Sequence, residues 1–175
     1  MTLNNVPYEQ IELGWAEQSI GSGETAYYWF TEWQQGNSFP HRVEKLFNSS
    51  TGACNPTLGG YVLMKVNNYP LGTTNWTFDV SCDGGSTWHT VDTLTNVLDA
   101  TGNPQVETGK KGDTTGASDD HQSLQWKDAN GNYSRWNAAH CWSDSIDSPT
   151  NWKGNVYSTS PFDWQTLSNG QGTEC

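Results

Sequence analysis

The chain has 175 residues, a formal net charge of −11 at neutral pH, 10 Trp, and charged side chains at only 15% of positions. That aromatic content supports a folded core rather than a disordered chain or a coiled coil, and the length fits one domain, expected as a single β-sandwich over residues 1–175. With 8 Lys and Arg against 19 Asp and Glu, the balance argues against a nucleic-acid or anionic-membrane partner, because phosphate contacts need cations.

In chain order, the first informative stretch is QIELGW at 10–15. Extended, it places Ile11, Leu13 and Trp15 on one side and Gln10, Glu12 and Gly14 on the other, so a carboxylate alternates with core-type residues. AYYWFTEW at 26–33 follows, splitting by parity into Tyr28, Phe30 and Glu32 against Tyr27, Trp29 and Trp33. Both sides are aromatic, which predicts a central strand covered on two faces, with Glu32 inside or at a cleft edge and in need of a partner. The bland alternative is that Trp29 and Trp33 simply fill a core.

Further strands are expected near 41–48, 59–67, 75–82, 86–91, 104–109, 121–128, 133–137, 153–158 and 162–167, after those near 9–17 and 25–34. NWTFDVSC alternates cleanly, with Trp76, Phe78 and Val80 on one side. CDGGSTW and KDANGNYSRW carry DGG and NG turn signals of the kind that close hairpins. The best helical candidate is TVDTLTNVLDA, where Val91, Leu94, Val97 and Leu98 would share a stripe. Many short strands between turn signals predict an all-β fold, an antiparallel two-sheet sandwich of the jelly-roll or concanavalin-like kind.

Cys54, Cys82, Cys141 and Cys175 contain no C-x-x-C pair, so a structural zinc site is not expected. Two disulfides are expected instead, with Cys54–Cys82 and Cys141–Cys175 the simplest of three connectivities; four buried free thiols are the alternative. Disulfides imply export. MTLNNVPYEQ has no signal-peptide pattern, so an exported protein would have lost its leader already. No apolar run is long enough to span a membrane.

Nucleophilic catalysis lacks a motif: there is no G-x-S-x-G, and His41, His89, His121 and His140 sit in no triad context. Asp113, Asp119 and Asp120 lack the spacing of a calcium loop, and DANGN at 128–132 reads as a turn. The carboxylates are more telling. PQVETG at 104–109 puts Gln105, Glu107 and Gly109 on one face and repeats the E-x-G form of Glu12-Leu13-Gly14. If Glu12 and Glu107 converge in one cleft, they share a proton and split their titrations. One carboxyl group then activates water while the other polarises a carbonyl or protonates a leaving group.

The order IELGW, YYWFTEW, GYVLMKV, PQVETG resembles the glutamic peptidases of the eqolisin and neprosin type, over about residues 9–110. The resemblance implies a β-sandwich with a catalytic pair on a concave sheet face. Glu12 falls where neprosins carry glutamate and eqolisins glutamine, Glu107 on the second catalytic glutamate, and Glu32 on the glutamate of the aromatic strand. The chain departs from neprosins by lacking W-G-G before the second glutamate and an upstream G-Y-W-P.

The expectation is thus a secreted, monomeric, acid-acting endopeptidase-like hydrolase with Glu12 and Glu107 catalytic. Tyr28 and Glu32 would contact peptide substrate or water, with no metal or cofactor. Its rivals are a non-catalytic carbohydrate-binding module using exposed Trp and Tyr, and a polysaccharide-cleaving enzyme on the same carboxylate pair.

Overall fold

A computed structural model describes residues 2–3, 9–21, 24–34, 41–47, 53–57, 59–68, 70, 72–96, 102–103, 118–123, 125–128, 130–135, 152–159 and 162–168. Every regular element among them is a strand, and none forms a helix long and apolar enough to cross a membrane. The chain divides into two compact units, Met1–Gln105 and Val106–Cys175.

The first unit holds two antiparallel sheets. One runs β4-β3-β2-β1-β8, from β1 (Thr2–Leu3), β2 (Glu9–Gly21), β3 (Glu24–Gln34), β4 (His41–Leu46) and β8 (Gly102–Asn103). The other runs β5-β6-β7, from β5 (Leu63–Asn68), β6 (Trp76–Ser81) and β7 (His89–Leu94). Alternation in the sequence becomes burial. Ile11 of β2 packs in one cluster with Trp76, Phe78 and Leu94, flanked by Leu13, Trp33 and Val66. Trp29 of β3 packs in a second with Ala53, Val80 and Val91. Both clusters draw on both sheets. Side chains such as Ile11, Phe78, Val80 and Val91, at most 1% exposed, each contribute about 1.5–3 kcal/mol on leaving water.

The Cys54–Cys82 bond forms, with Cα atoms 5.9 Å apart. It lies against the second cluster, and the Trp29 indole Nε1 donates to the Cys54 carbonyl at 2.8 Å. The core role of Trp29 therefore holds: its ring fills the interior and its one polar atom is satisfied. Cys141 and Cys175 lie outside the described residues.

Over its described part, the helical alternative for 90–100 gives way to a strand through Leu94, while Val97 and Leu98 lie outside the described residues. The i, i+3 spacing of Val91 and Leu94 mimics a helix, yet both are buried because β7 carries a bulge. Phe78 pairs with Asp92 and Asp79 with Thr90, leaving Val91 as the extra residue. That residue resets the parity and sends Val91 and Leu94 to the same side. The bulge also delivers Asp92 to the buried Thr31 hydroxyl, which donates to its Oδ2 at 2.9 Å.

The DGG turn joins β6 to β7. Gly84 and Gly85 take φ of 73° and 92°, backbone that a side chain disfavours. Asp83 Oδ1 accepts from the Ser81 hydroxyl at 2.7 Å and the Thr87 amide at 2.9 Å.

The second unit contains a three-stranded sheet, β12-β13-β9, from β9 (Ser118–His121), β12 (Trp152–Thr159) and β13 (Phe162–Ser168). It also contains a hairpin of β10 (Gln125–Lys127) and β11 (Tyr133–Arg135). The strand expected over 121–128 is thus two strands. The NG step is the hairpin turn, where Asp128 Oδ1 accepts from the Asn130 and Asn132 amides and Gly131 has φ 88°.

Candidate functional site

The faces of β2 and β3 turned away from the core carry the acids. Glu12 pairs directly with Glu32, one step from the Gly14–Phe30 pair and two from Ala16–Tyr28. Directly opposed residues hold their Cβ atoms about 4.5–5.5 Å apart, so the two carboxylate stems rise side by side. On the far side of β3, Glu32 pairs with Arg42 and Phe30 with Glu44. One sheet face thereby gathers Glu12, Tyr28, Phe30, Glu32, Arg42 and Glu44.

Arg42 organises this face. Its Nη1 donates to Glu32 Oε2 at 3.1 Å and its Nε to Glu44 Oε1 at 2.7 Å. Its guanidinium carbon sits 4.3 Å from the centre of the Phe30 ring. Burial works against the Arg42 charge, but hydrogen bonds to Glu44, Glu32 and Tyr28 outweigh it and hold its pKa above the ordinary arginine value. A planar fork that bonds two carboxylates while lying on an aromatic ring is a geometry lysine cannot copy.

The glycine of the E-x-G motif has a physical reason at Gly14. A Cβ there would stand 2.7 Å from Cε1 and 2.8 Å from Cζ of Phe30. The Phe30 ring lies where a side chain would otherwise project, and Arg42 lies on that ring. Gly14, Phe30 and Arg42 form a stack that fixes the guanidinium beside Glu32.

Three of the four residues expected from the sequence share this face: Glu12, Tyr28 and Glu32. Glu12 is half-buried, Glu32 has a side chain 24% exposed, and Tyr28 is buried at 8%. Glu107 lies outside the described residues, as does the rest of the strand expected over 104–109. The partner that a partly buried Glu32 requires is Arg42, which sequence reasoning passed over. A signal was present, because Arg42 and Glu44 share a parity in HRVEKL and cations are few in this chain. Among the described residues, no three His, Cys, Asp or Glu side chains converge as a metal-binding set.

No family model matches the chain, and neither a curated protein nor a solved structure does.

Proposed function

We propose that the chain is an exported, monomeric, two-sheet β-sandwich that hydrolyses peptide bonds in acid, with Glu12 and Glu107 as its reacting carboxyl groups. The observation that carries this reading is the register pairing of Glu12 with Glu32 on a sheet face turned away from the core. Two like charges directly opposed weaken a sheet, and the Arg42 bond to Glu32 offsets part of that cost. The Cys54–Cys82 bond supports export.

In the proposed reaction, Glu12 takes a proton from water as its oxygen attacks the peptide carbonyl. Glu107 delivers a proton to the departing amide nitrogen, leaving a carboxylic acid and an amine. Glu32, tied to Arg42, and the Tyr28 hydroxyl orient water or substrate and do not react themselves.

The test is proteolysis by the pure protein on a denatured protein substrate from about pH 2 to 5, the range in which one carboxyl group of such a pair carries a proton. Cleavage is expected, with Glu12→Gln and Glu107→Gln each lowering its rate by about 10²–10⁴-fold. Absence of cleavage, or variants as fast as the parent, would sink the reading.

A further inference from the structure

A general base must carry its charge at the pH where it works, and the register partner of Glu12 opposes that. The partner is Glu32, and two carboxylates so close resist ionising together. Among the described residues, Arg42 is the one cation on this face, paired in register with Glu32 across β3 and β4. Three contacts hold it: Nη1 to Glu32 Oε2 at 3.1 Å, Nε to Glu44 Oε1 at 2.7 Å, and the Phe30 ring centre 4.3 Å from its guanidinium carbon. The Phe30 ring covers Gly14, two residues along β2 from Glu12, so the stack runs from β4 to the strand of the base. Three carboxylates, Glu12, Glu32 and Glu44, thus face one guanidinium, and distance decides which of them Glu12 feels. Glu44 is two strands away and two residues along, about 12 Å from Glu12 at strand spacing and beyond a Debye length of about 8–10 Å. Tyr28 brings a hydroxyl group rather than a charge, and β1 and β8 add Thr2 and Asn103, both uncharged.

We infer that Arg42 is a positioning residue that keeps Glu12 ionised as a base by countering the charge of Glu32. Its consequence for catalysis rests on the peptidase reading, whereas its effect on the charge of Glu12 does not. With Arg42 in place, Glu12 faces an ion pair, whose opposed charges largely cancel at its carboxyl group. Without Arg42, Glu12 faces a bare carboxylate and holds its proton to higher pH. Without Glu32, the guanidinium stands beside Glu12 uncountered on that strand, and Glu12 releases its proton at lower pH. The two substitutions therefore act in opposite directions, which a loss of packing would not do. Glu107 lies outside the described residues, and its influence on Glu12 is common to parent and variants, so the differences between them report Arg42 and Glu32.

The experiment is a carbon-13 NMR titration of the Glu12 carboxyl group in the full chain, assigned by its loss in Glu12→Gln. Arg42→Gln should raise the Glu12 midpoint by about one pH unit, and Glu32→Gln should lower it. The double variant should fall between the two single ones, and Arg42→Lys, which keeps the charge, should stay within about 0.3 unit of the parent. In proteolysis, Arg42→Gln should cut the rate about tenfold at a pH well below the parent midpoint and leave it unchanged well above, because a base works only when ionised. A midpoint unmoved or lowered in Arg42→Gln would overturn the inference, as would shifts of the same sign in Arg42→Gln and Glu32→Gln. Should Arg42→Gln fail to fold by circular dichroism, Glu32→Gln decides: a lowered midpoint supports the inference and any other result overturns it. A protein that titrates as expected yet cleaves no peptide would remove the peptidase reading and leave the control of Glu12 by Arg42 in place.

Discussion

Adjacent residues of β2 and β3 have opposite fates. Ile11, Trp29 and Thr31 are at most 1% exposed among the packed residues of both sheets, while on the other side Glu12 stands opposite Glu32 and Phe30 lies between Gly14 and Arg42. The same backbone thus serves stability with one parity and carries its chemistry-bearing groups on the other. The division is economical because a pleated strand sends successive side chains to opposite faces at no conformational cost. It also means that changes at neighbouring positions have unlike consequences.

The largest expected effect lies on the core side. Trp29→Ala removes a fully buried indole and its bond to the Cys54 carbonyl, and should cost about 3–5 kcal/mol in chemical denaturation. A loss under about 1 kcal/mol would mean that the two faces do not divide their labour in this way. Next comes Gly14→Ala, on the polar side. The new methyl group must displace the Phe30 ring and with it Arg42, for an expected loss of about 1–3 kcal/mol. If Gly14→Ala is neutral, the stack is looser than described.

Arg42→Ala is smaller, about 1 kcal/mol, because its side chain is 36% exposed and solvent screens its two ion pairs. Added salt should narrow the gap from the parent, as it would not for Trp29→Ala. The smallest effect belongs to the β6–β7 turn. Hydrogen bonds from the Thr87 amide and the Ser81 and Thr87 hydroxyls lower the Asp83 pKa from 3.8 to about 2. A depressed carboxylate stabilises the fold above its unfolded pKa, and that stabilisation is lost as pH falls through the folded value. Melting of Asp83→Ala should therefore fall slightly below the parent at neutral pH and converge with it as pH drops from 3.8 to about 2. A gap that persists below that window would point to packing rather than charge.

Much of the first unit was legible because alternation and turn residues are local signals. The β2 and β3 patterns and the DGG hairpin follow from them, as does the NG hairpin of the second unit, whereas the Cys54–Cys82 pairing was the simplest of three connectivities. The β7 bulge was not legible, since one extra residue turns a strand pattern into an apparent helical spacing at Val91 and Leu94. Nor was Arg42 as the partner of Glu32, because register across β3 and β4 is not written in either strand alone.

Residue order by itself determined which side chains share a face in the regular strands such as β2, β3 and β6, since that depends only on the two-residue repeat of extended backbone; bulged β7 is the exception. Tertiary structure decided which of those faces became interior, that Glu12 stands opposite Glu32, and that a guanidinium lies on the ring above Gly14. Those outcomes depend on strand register and sheet packing, which are set by the free energy of the whole assembly rather than by any one segment.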